Sequence, residues 1–165
     1  MRLLTILYLV LLSIHSYSQE AIPEAETVAR NSLMYHQDTN GLVTGTIEGF
    51  HENGQLEFRR DYKDGEQVGL YEIFHENGQL EFRSNYIDGE LDGLTELFHD
   101  NGQLWVRQNY IDGELNGLWE WFDRNGQLSS RTNYIYGVHD GLREEFSVNG
   151  NLIRTMTFRN GELVE

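Results

Sequence analysis

From residue 40 onward, apolar and polar residues alternate in short runs separated by Asn-Gly and Asp-Gly pairs. Alternation with period two marks half-buried strands, and an Asn-Gly or Asp-Gly between two such runs marks a hairpin, because these residues tolerate positive φ. In the stretch 64–87 the pattern predicts one strand near 69–75 and a second near 79–87. Glu76-Asn77-Gly78 joins them, and Asp88-Gly89 turns the chain into the next hairpin.

The pattern is strictly periodic. Asn-Gly-Gln-Leu begins at 53, 77, 101 and 125, and Asn-Gly-Asn-Leu at 149, so the interval is 24 residues without insertion or deletion. Phe50, Phe74, Phe98, Phe122 and Phe146 keep the interval, as do Gly45, Gly69, Gly93, Gly117 and Gly141. Such a period means stacked copies of one unit. Five units run from 40 to 159, and Asn160 to Glu165 begins a sixth; the fifth has drifted, with Tyr136, Asn151 and Thr155 where the others carry Asp, Gln and Arg. The expected fold is all-β: about ten strands of tandem antiparallel β-hairpins forming an elongated single-layer repeat sheet.

A register with a three-residue loop places Phe74 opposite Leu80 and puts Leu70, Glu72, Phe74, Leu80, Phe82 and Tyr86 on one side. That leaves one nearly apolar face, which a half-buried sheet requires. A two-residue turn pairs Glu72 with Arg83 instead and mixes charge into both faces. The first register predicts a core ladder of Phe74, Leu80, Phe98, Leu104, Phe122, Leu128, Phe146 and Leu152, with a one-residue bulge at Asp92-Gly93 restoring face parity between units.

Composition narrows the function. The chain carries 27 acidic against 12 basic residues, a formal charge of -15, and no cysteine. That charge repels a phosphate backbone and anionic lipid head groups, so neither nucleic acid nor an anionic membrane is an expected partner. Without Cys there is no disulfide, thiolate metal site or thiol nucleophile. Met1 and Arg2 followed by the apolar run Leu3–Leu12, with small residues at Ser16 and Ser18, read as a signal peptide over 1–18 cleaved before Gln19. The predicted destination is the periplasm or the exterior, with no second hydrophobic segment. Residues 19–39 fall outside the repeat; Pro23 followed by Glu24 and Glu26 predicts a short helix, with Val28, Leu33, Met34 and Tyr35 available to cover the end of the sheet.

Units of the form Asp-Gly-Glu-Leu-Asp-Gly-Leu…Phe-His-Asp-Asn-Gly-Gln-Leu…Asn-Tyr-Ile, as at 88–111, resemble the MORN repeat in its bacterial variant form, the antitoxin-like MORN variant family. The resemblance covers 40–165. It implies tandem hairpins, and an association with scaffolding, protein partners and sometimes membranes. The antitoxin label implies a cytosolic toxin as partner.

Recurring polar columns invite catalytic or metal readings. His51, His75 and His99 stand two strands apart, about 9.6 Å, too far to share one metal ion. Glu48, Glu72, Glu96, Glu120 and Glu144 are equivalent carboxylates with no acid distinguished from a base, so they are expected to bond hydroxyls or Arg59, Arg83, Arg107 and Arg131. Asp112, Glu114 and Asn116, with Glu120 and Asp123 beyond, imitate the oxygen spacing of a calcium loop, but turn chemistry accounts for them without an ion. No catalytic residue, metal or cofactor is expected. All three tryptophans occur in the third and fourth units. In the preferred register Trp105 faces Trp121, Trp119 lies beside Arg107, and Leu97 joins them. The residues Leu97, Trp105, Arg107, Trp119 and Trp121 are therefore the predicted binding patch, because exposed Trp with a neighbouring Arg is the composition of an interaction hot spot. The expected function is an exported, non-catalytic protein-interaction or scaffold module with an unknown protein partner. The alternatives are an antitoxin-like protein or a secreted carbohydrate-active or carbohydrate-binding protein.

Overall fold

A computed structural model describes residues 20–164. The predicted leader, 1–18, and its cleavage site before Gln19 lie outside the described residues. The strands in chain order are β1 (Ile22–Pro23), β2 (Thr27–Arg30), β3 (Leu33–His36), β4 (Gly45–Phe50), β5 (Leu56–Lys63), β6 (Glu66–Phe74), β7 (Leu80–Ile87) and β8 (Glu90–Leu91). They continue as β9 (Gly93–Phe98), β10 (Leu104–Ile111), β11 (Glu114–Leu115), β12 (Gly117–Phe122), β13 (Leu128–Ile135), β14 (Val138–Phe146), β15 (Leu152–Arg159) and β16 (Glu162–Leu163). From β4 to β16 neighbouring strands pair antiparallel, while β1 lies parallel to β4, making one 14-stranded sheet. The all-β repeat sheet is as expected. The short strands β8 and β11 are pieces that the glycines of the Gly93 and Gly117 column cut from the following strands.

Two kinds of turn stack at the two margins. At one, Asp88 and Gly89 both have positive φ, 49° and 80°, which makes the two-residue turn that suits a hairpin twist. At the other, Gly78 N donates to His75 O at 2.8 Å and Phe74 stands opposite Leu80, as the sequence predicts.

Beyond that pair the register departs from expectation. Ile73 pairs with Phe82 and Glu72 with Arg83, so Glu81 is an extra residue, a bulge directly beside the turn. The same bulge recurs at Glu57, Trp105, Ser129 and Ile153. A one-residue bulge reverses which face the following residues occupy. The expected grouping of Glu72 with Phe82 and Tyr86 is therefore corrected: Glu72 and Arg83 share one face, and Tyr71, Ile73, Phe82 and Ser84 the other. The irregularity at Gly93 is also larger than expected. Arg83 pairs with Glu96 and Tyr86 with Leu91, so Ser84 and Asn85 stand against the four residues Asp92–Thr95.

The core moves accordingly. The buried apolar residues Ile47, Phe58, Tyr62, Val106 and Met156 belong to the face opposite the predicted ladder. The ladder pairs do form, but Leu152 is 54% exposed and Phe74 and Phe98 are half-buried. Arg59, Arg83, Arg107 and Arg131 instead lie over the rings of Phe74, Phe98, Phe122 and Phe146, 5.7–6.0 Å from their centroids.

The predicted helix before the array is a single 3₁₀ turn, Glu24–Glu26, following Pro23, and the chain then enters the β2–β3 hairpin. This hairpin adds a second layer at one end of the sheet. Ile22 and Met34 pack on the cluster Val43, Ile47, Phe58 and Tyr62, and Met34 N donates to Gly65 O at 2.9 Å. Val28 lines a cavity shared with Met34, Ile47 and Phe58. Covering the first unit satisfies apolar surface that every later unit buries against its predecessor.

Candidate functional site

Most of the recurring columns are consumed in holding one unit to the next. Arg59 Nε donates to Glu72 at 2.5 Å, Arg83 Nε to Glu96 at 2.8 Å and Arg131 Nε to Glu144 at 2.5 Å. Glu96 is also reached by Arg107 at 3.2 Å, and Arg107 approaches Glu120 at 3.7 Å. The carboxylate column is therefore a charge ladder on one face of the sheet. The Asn column joins successive tips: Asn53, Asn77 and Asn101 each donate from Nδ2 to the backbone oxygen of Glu76, Asp100 and Arg124 at 2.8 Å. The His column does the same, with Nε2 of His51 and His75 against the carbonyls of Phe74 and Phe98 at 2.7 and 3.3 Å.

The run that imitates a calcium loop is drawn out along a strand. Asp112 sits in a two-residue turn at one margin, Glu120 beside Arg107 on the charged face, and Asp123 at the opposite margin. There Asp123 Oδ1 accepts from Asn125 N at 2.8 Å and Gln127 N at 3.0 Å, which holds its carboxyl below the ordinary range. Among the described residues no three His, Asp or Glu side chains converge where a metal ion could bind.

Trp119, Trp121 and His139 break the repeat on the packed face of the fourth and fifth units, beside the recurring Tyr134 and Phe158. Trp119 and Trp121 stack with centroids 4.1 Å apart, and Tyr134 follows at 5.4 Å from Trp119. His139 packs edge-on against Tyr134 and Phe158, at 4.3 and 4.9 Å. Burial, and after it the Arg143 charge, hold the His139 imidazole below its ordinary range and so neutral. Burial raises the phenols of Tyr71, Tyr86, Tyr110 and Tyr134. Among the described residues Trp119 Nε1 is buried without a hydrogen-bond partner.

The predicted patch is divided by this arrangement. Leu97, Val106 and Trp121 form one cross-strand row, so Leu97, Trp119 and Trp121 do share a face. Arg107 points to the other face, where Glu96 and Glu120 hold it. Trp105 is not opposite Trp121, because Val106 takes that place and Trp105 is the bulged residue. It is 45% exposed and lies against His99, 5.6 Å between centroids. With Leu97, Phe98 and His99 it lines a cleft of about 450 Å³, to which Glu81 and Asp100 also contribute. Glu81 is 3.3 Å from His75 Nδ1, and Asp100 pairs with Arg124. Sequence reasoning did not find this cleft. The available signal was the bulge column itself, where Glu57, Glu81, Trp105, Ser129 and Ile153 change character directly after the constant Leu56, Leu80, Leu104, Leu128 and Leu152.

The family described as MORN repeat variant matches residues 43–64, 67–88, 91–112 and 115–136. The chain belongs to that family. The matched stretches have the 24-residue phase of the hairpins, and the drifted fifth hairpin, β14–β15, lies beyond them. A comparison with curated proteins gives no match. MORN repeats commonly mediate protein or membrane interactions, which agrees with an array whose repeated side chains build a framework. Among the described residues no helix is long and apolar enough to cross a membrane.

Proposed function

We propose that this MORN array is an exported, non-catalytic module that binds or scaffolds a protein partner through the face carrying Leu97, Trp119 and Trp121 and the adjoining cleft of Trp105. The observation that carries the reading is the division of labour among columns. The Asn, His, Glu and Arg columns bond unit to unit, whereas tryptophan enters the packed and bulge columns only in the third and fourth units. Aromatic side chains that depart from an otherwise repeated framework are what a binding hot spot requires. Export rests on the basic start and the apolar run Leu3–Leu12 ahead of Ser16 and Ser18.

The test is capture from an envelope extract on the immobilised chain 19–165. Wild type is expected to retain a defined protein, and Trp105→Ser or Trp121→Ala to lose at least about tenfold in retention, the scale of a hot-spot aromatic. Thermal melting of each variant separates lost binding from lost folding. Retention unchanged in both variants, or protein isolated from cells that does not begin at Gln19, overturns the corresponding half of the proposal.

A further inference from the structure

We infer that the Trp105 cleft is the docking site for an extended, Lys- or Arg-bearing segment of a partner protein, running along the stacked hairpin tips. The inference rests on the protein-binding reading above. The cleft is lined by Leu97 and Phe98, with the exposed ring of Trp105 beside them; Asp100 is paired there with Arg124, and the Glu81 carboxylate, 49% exposed, is the acid left open to a partner. An apolar lining with a Trp face and an exposed carboxylate suits a side chain that has an aliphatic stem and a cationic head, since the stem packs and the head meets both the ring and Glu81. It does not suit an anion, in a chain of formal charge -15.

The margin on either side extends the argument from one side chain to a segment. Tip positions read Glu52, Glu76, Asp100, Arg124 and Val148, and the bulge positions beside them Glu57, Glu81, Trp105, Ser129 and Ile153. The strip is thus acidic over the first two units, turns at the cleft, passes Arg124 of the fourth unit, which pairs back to Asp100, and ends apolar in the fifth, with Val148 81% and Ile153 67% exposed. Equivalent tips recur every second strand, about 9.6 Å, and a chain in polyproline-II conformation rises about 3.1 Å per residue with three residues per turn, so a docked segment turns every third residue toward successive tips. The segment that complements the strip carries basic residues at that spacing, then a cation or aromatic for Trp105, then apolar residues at the same spacing. Charge complementarity of this kind sets register and speeds association.

The experiment uses the full mature chain and a fluorescein-labelled peptide of about fifteen residues, with Lys at every third position in one half and Leu at every third in the other. Comparison peptides have the same composition in scrambled order, or Glu in place of Lys. Trp105→Ser replaces the ring with the residue the following unit carries at the same bulge, Ser129, and leaves net charge unchanged. Indiscriminate attraction of a basic peptide to an acidic protein is therefore the same in wild type and variant.

The ordered peptide is expected to bind wild type more tightly than the scrambled one, and to bind Trp105→Ser about three- to tenfold more weakly, the range of an exposed to partly desolvated cation–π contact. Glu81→Gln, on an exposed side chain, is the second variant and is expected to weaken binding in the same direction. Equal affinity for ordered and scrambled peptides, or affinity unchanged by both substitutions, overturns the inference, as does displacement of the peptide by soluble chitohexaose, which would mark a sugar site. Envelope capture that survives Trp105→Ser leaves the protein-binding reading standing and removes only the cleft from it; capture absent in wild type removes the reading itself.

Discussion

Glu96 carries more of the packing than its surface-residue chemistry suggests. It is 3% exposed, yet it meets Arg83 at 2.6 Å and Arg107 at 3.2 Å from the strands on either side. A carboxylate removed from water is stable only when its oxygens are bonded, and two guanidiniums that remain 48% and 42% exposed do this while losing little of their own hydration. Each guanidinium also covers a Phe ring of its own face. Asp100 and Arg124 make the same kind of pair in the open, at 61% and 64% exposure. The difference in burial decides the energetics. Glu96→Ala is expected to cost about 2–3 kcal/mol, the loss of charge-assisted hydrogen bonds in a buried place. Asp100→Ala is expected to cost less than about 0.5 kcal/mol. Urea unfolding of both variants checks this, and equal midpoints would mean that the ladder is no stronger than a surface ion pair.

At the scale of the hairpin, the turns were legible in the sequence and the bulges were not. Asn-Gly and Asp-Gly mark positive φ through their own chemistry, so the Phe74–Leu80 pairing and the Asp88-Gly89 turn follow from residue type. The bulge at Glu81 has no such mark, because its column accepts Glu, Trp, Ser and Ile. Choosing a register by its cleanest apolar face therefore misassigned the core, since this sheet buries Glu96 and Glu72 on one face and Ser84, Thr95 and Val106 on the other. Trp105 was lost from the predicted patch for the same reason, while Leu97, Trp119 and Trp121 stayed together because they lie beyond the bulge in register with Val106. The Asn column, legible as a turn former, has a second role that only the stacked tips reveal. Asn77 Oδ1 accepts from Gln79 N within its own turn at 2.9 Å, and its Nδ2 donates to Asp100 O in the next at 2.8 Å. Asn77→Asp keeps the first bond and removes the second. It is expected to lower stability by about 0.5–1.5 kcal/mol, the net worth of one hydrogen bond, and to speed amide exchange at the tips of the second and third units before the strands. Faster exchange confined to the turn that carries the substitution would show that the bond between tips contributes nothing.

At the scale of the whole array, the contacts between units connect positions one period apart, so each unit sees the same neighbour chemistry on either side. His75 and Asn77 reach the carbonyls of Phe98 and Asp100, and at the other margin Gly113 N reaches Leu91 O and Gly137 N reaches Leu115 O. An assembly held by nearest-neighbour contacts of this kind has a stability close to a sum over units and interfaces. Removal of Asp88–Ile111 deletes one full period and brings Asp112-Gly113 to the place of Asp88-Gly89. Arg83 then meets Glu120 in place of Glu96, and Asn77 meets the carbonyl of Arg124 in place of Asp100, each a substitution that the repeat already contains. The shortened chain is expected to fold with the same strand signal per residue in circular dichroism and to lose ~1–4 kcal/mol, the stability that 24 residues ordinarily contribute. Deleting one residue fewer, Asp88–Tyr110, leaves Ile111 as an insertion before the Asp-Gly turn and displaces every later column by one, which turns the Glu–Arg ladder onto the wrong face. That variant is expected to unfold without a cooperative transition or to aggregate. Thermal melts of the two deletions beside wild type decide the matter, and two deletions that melt alike would mean that the strict period has no part in holding the sheet.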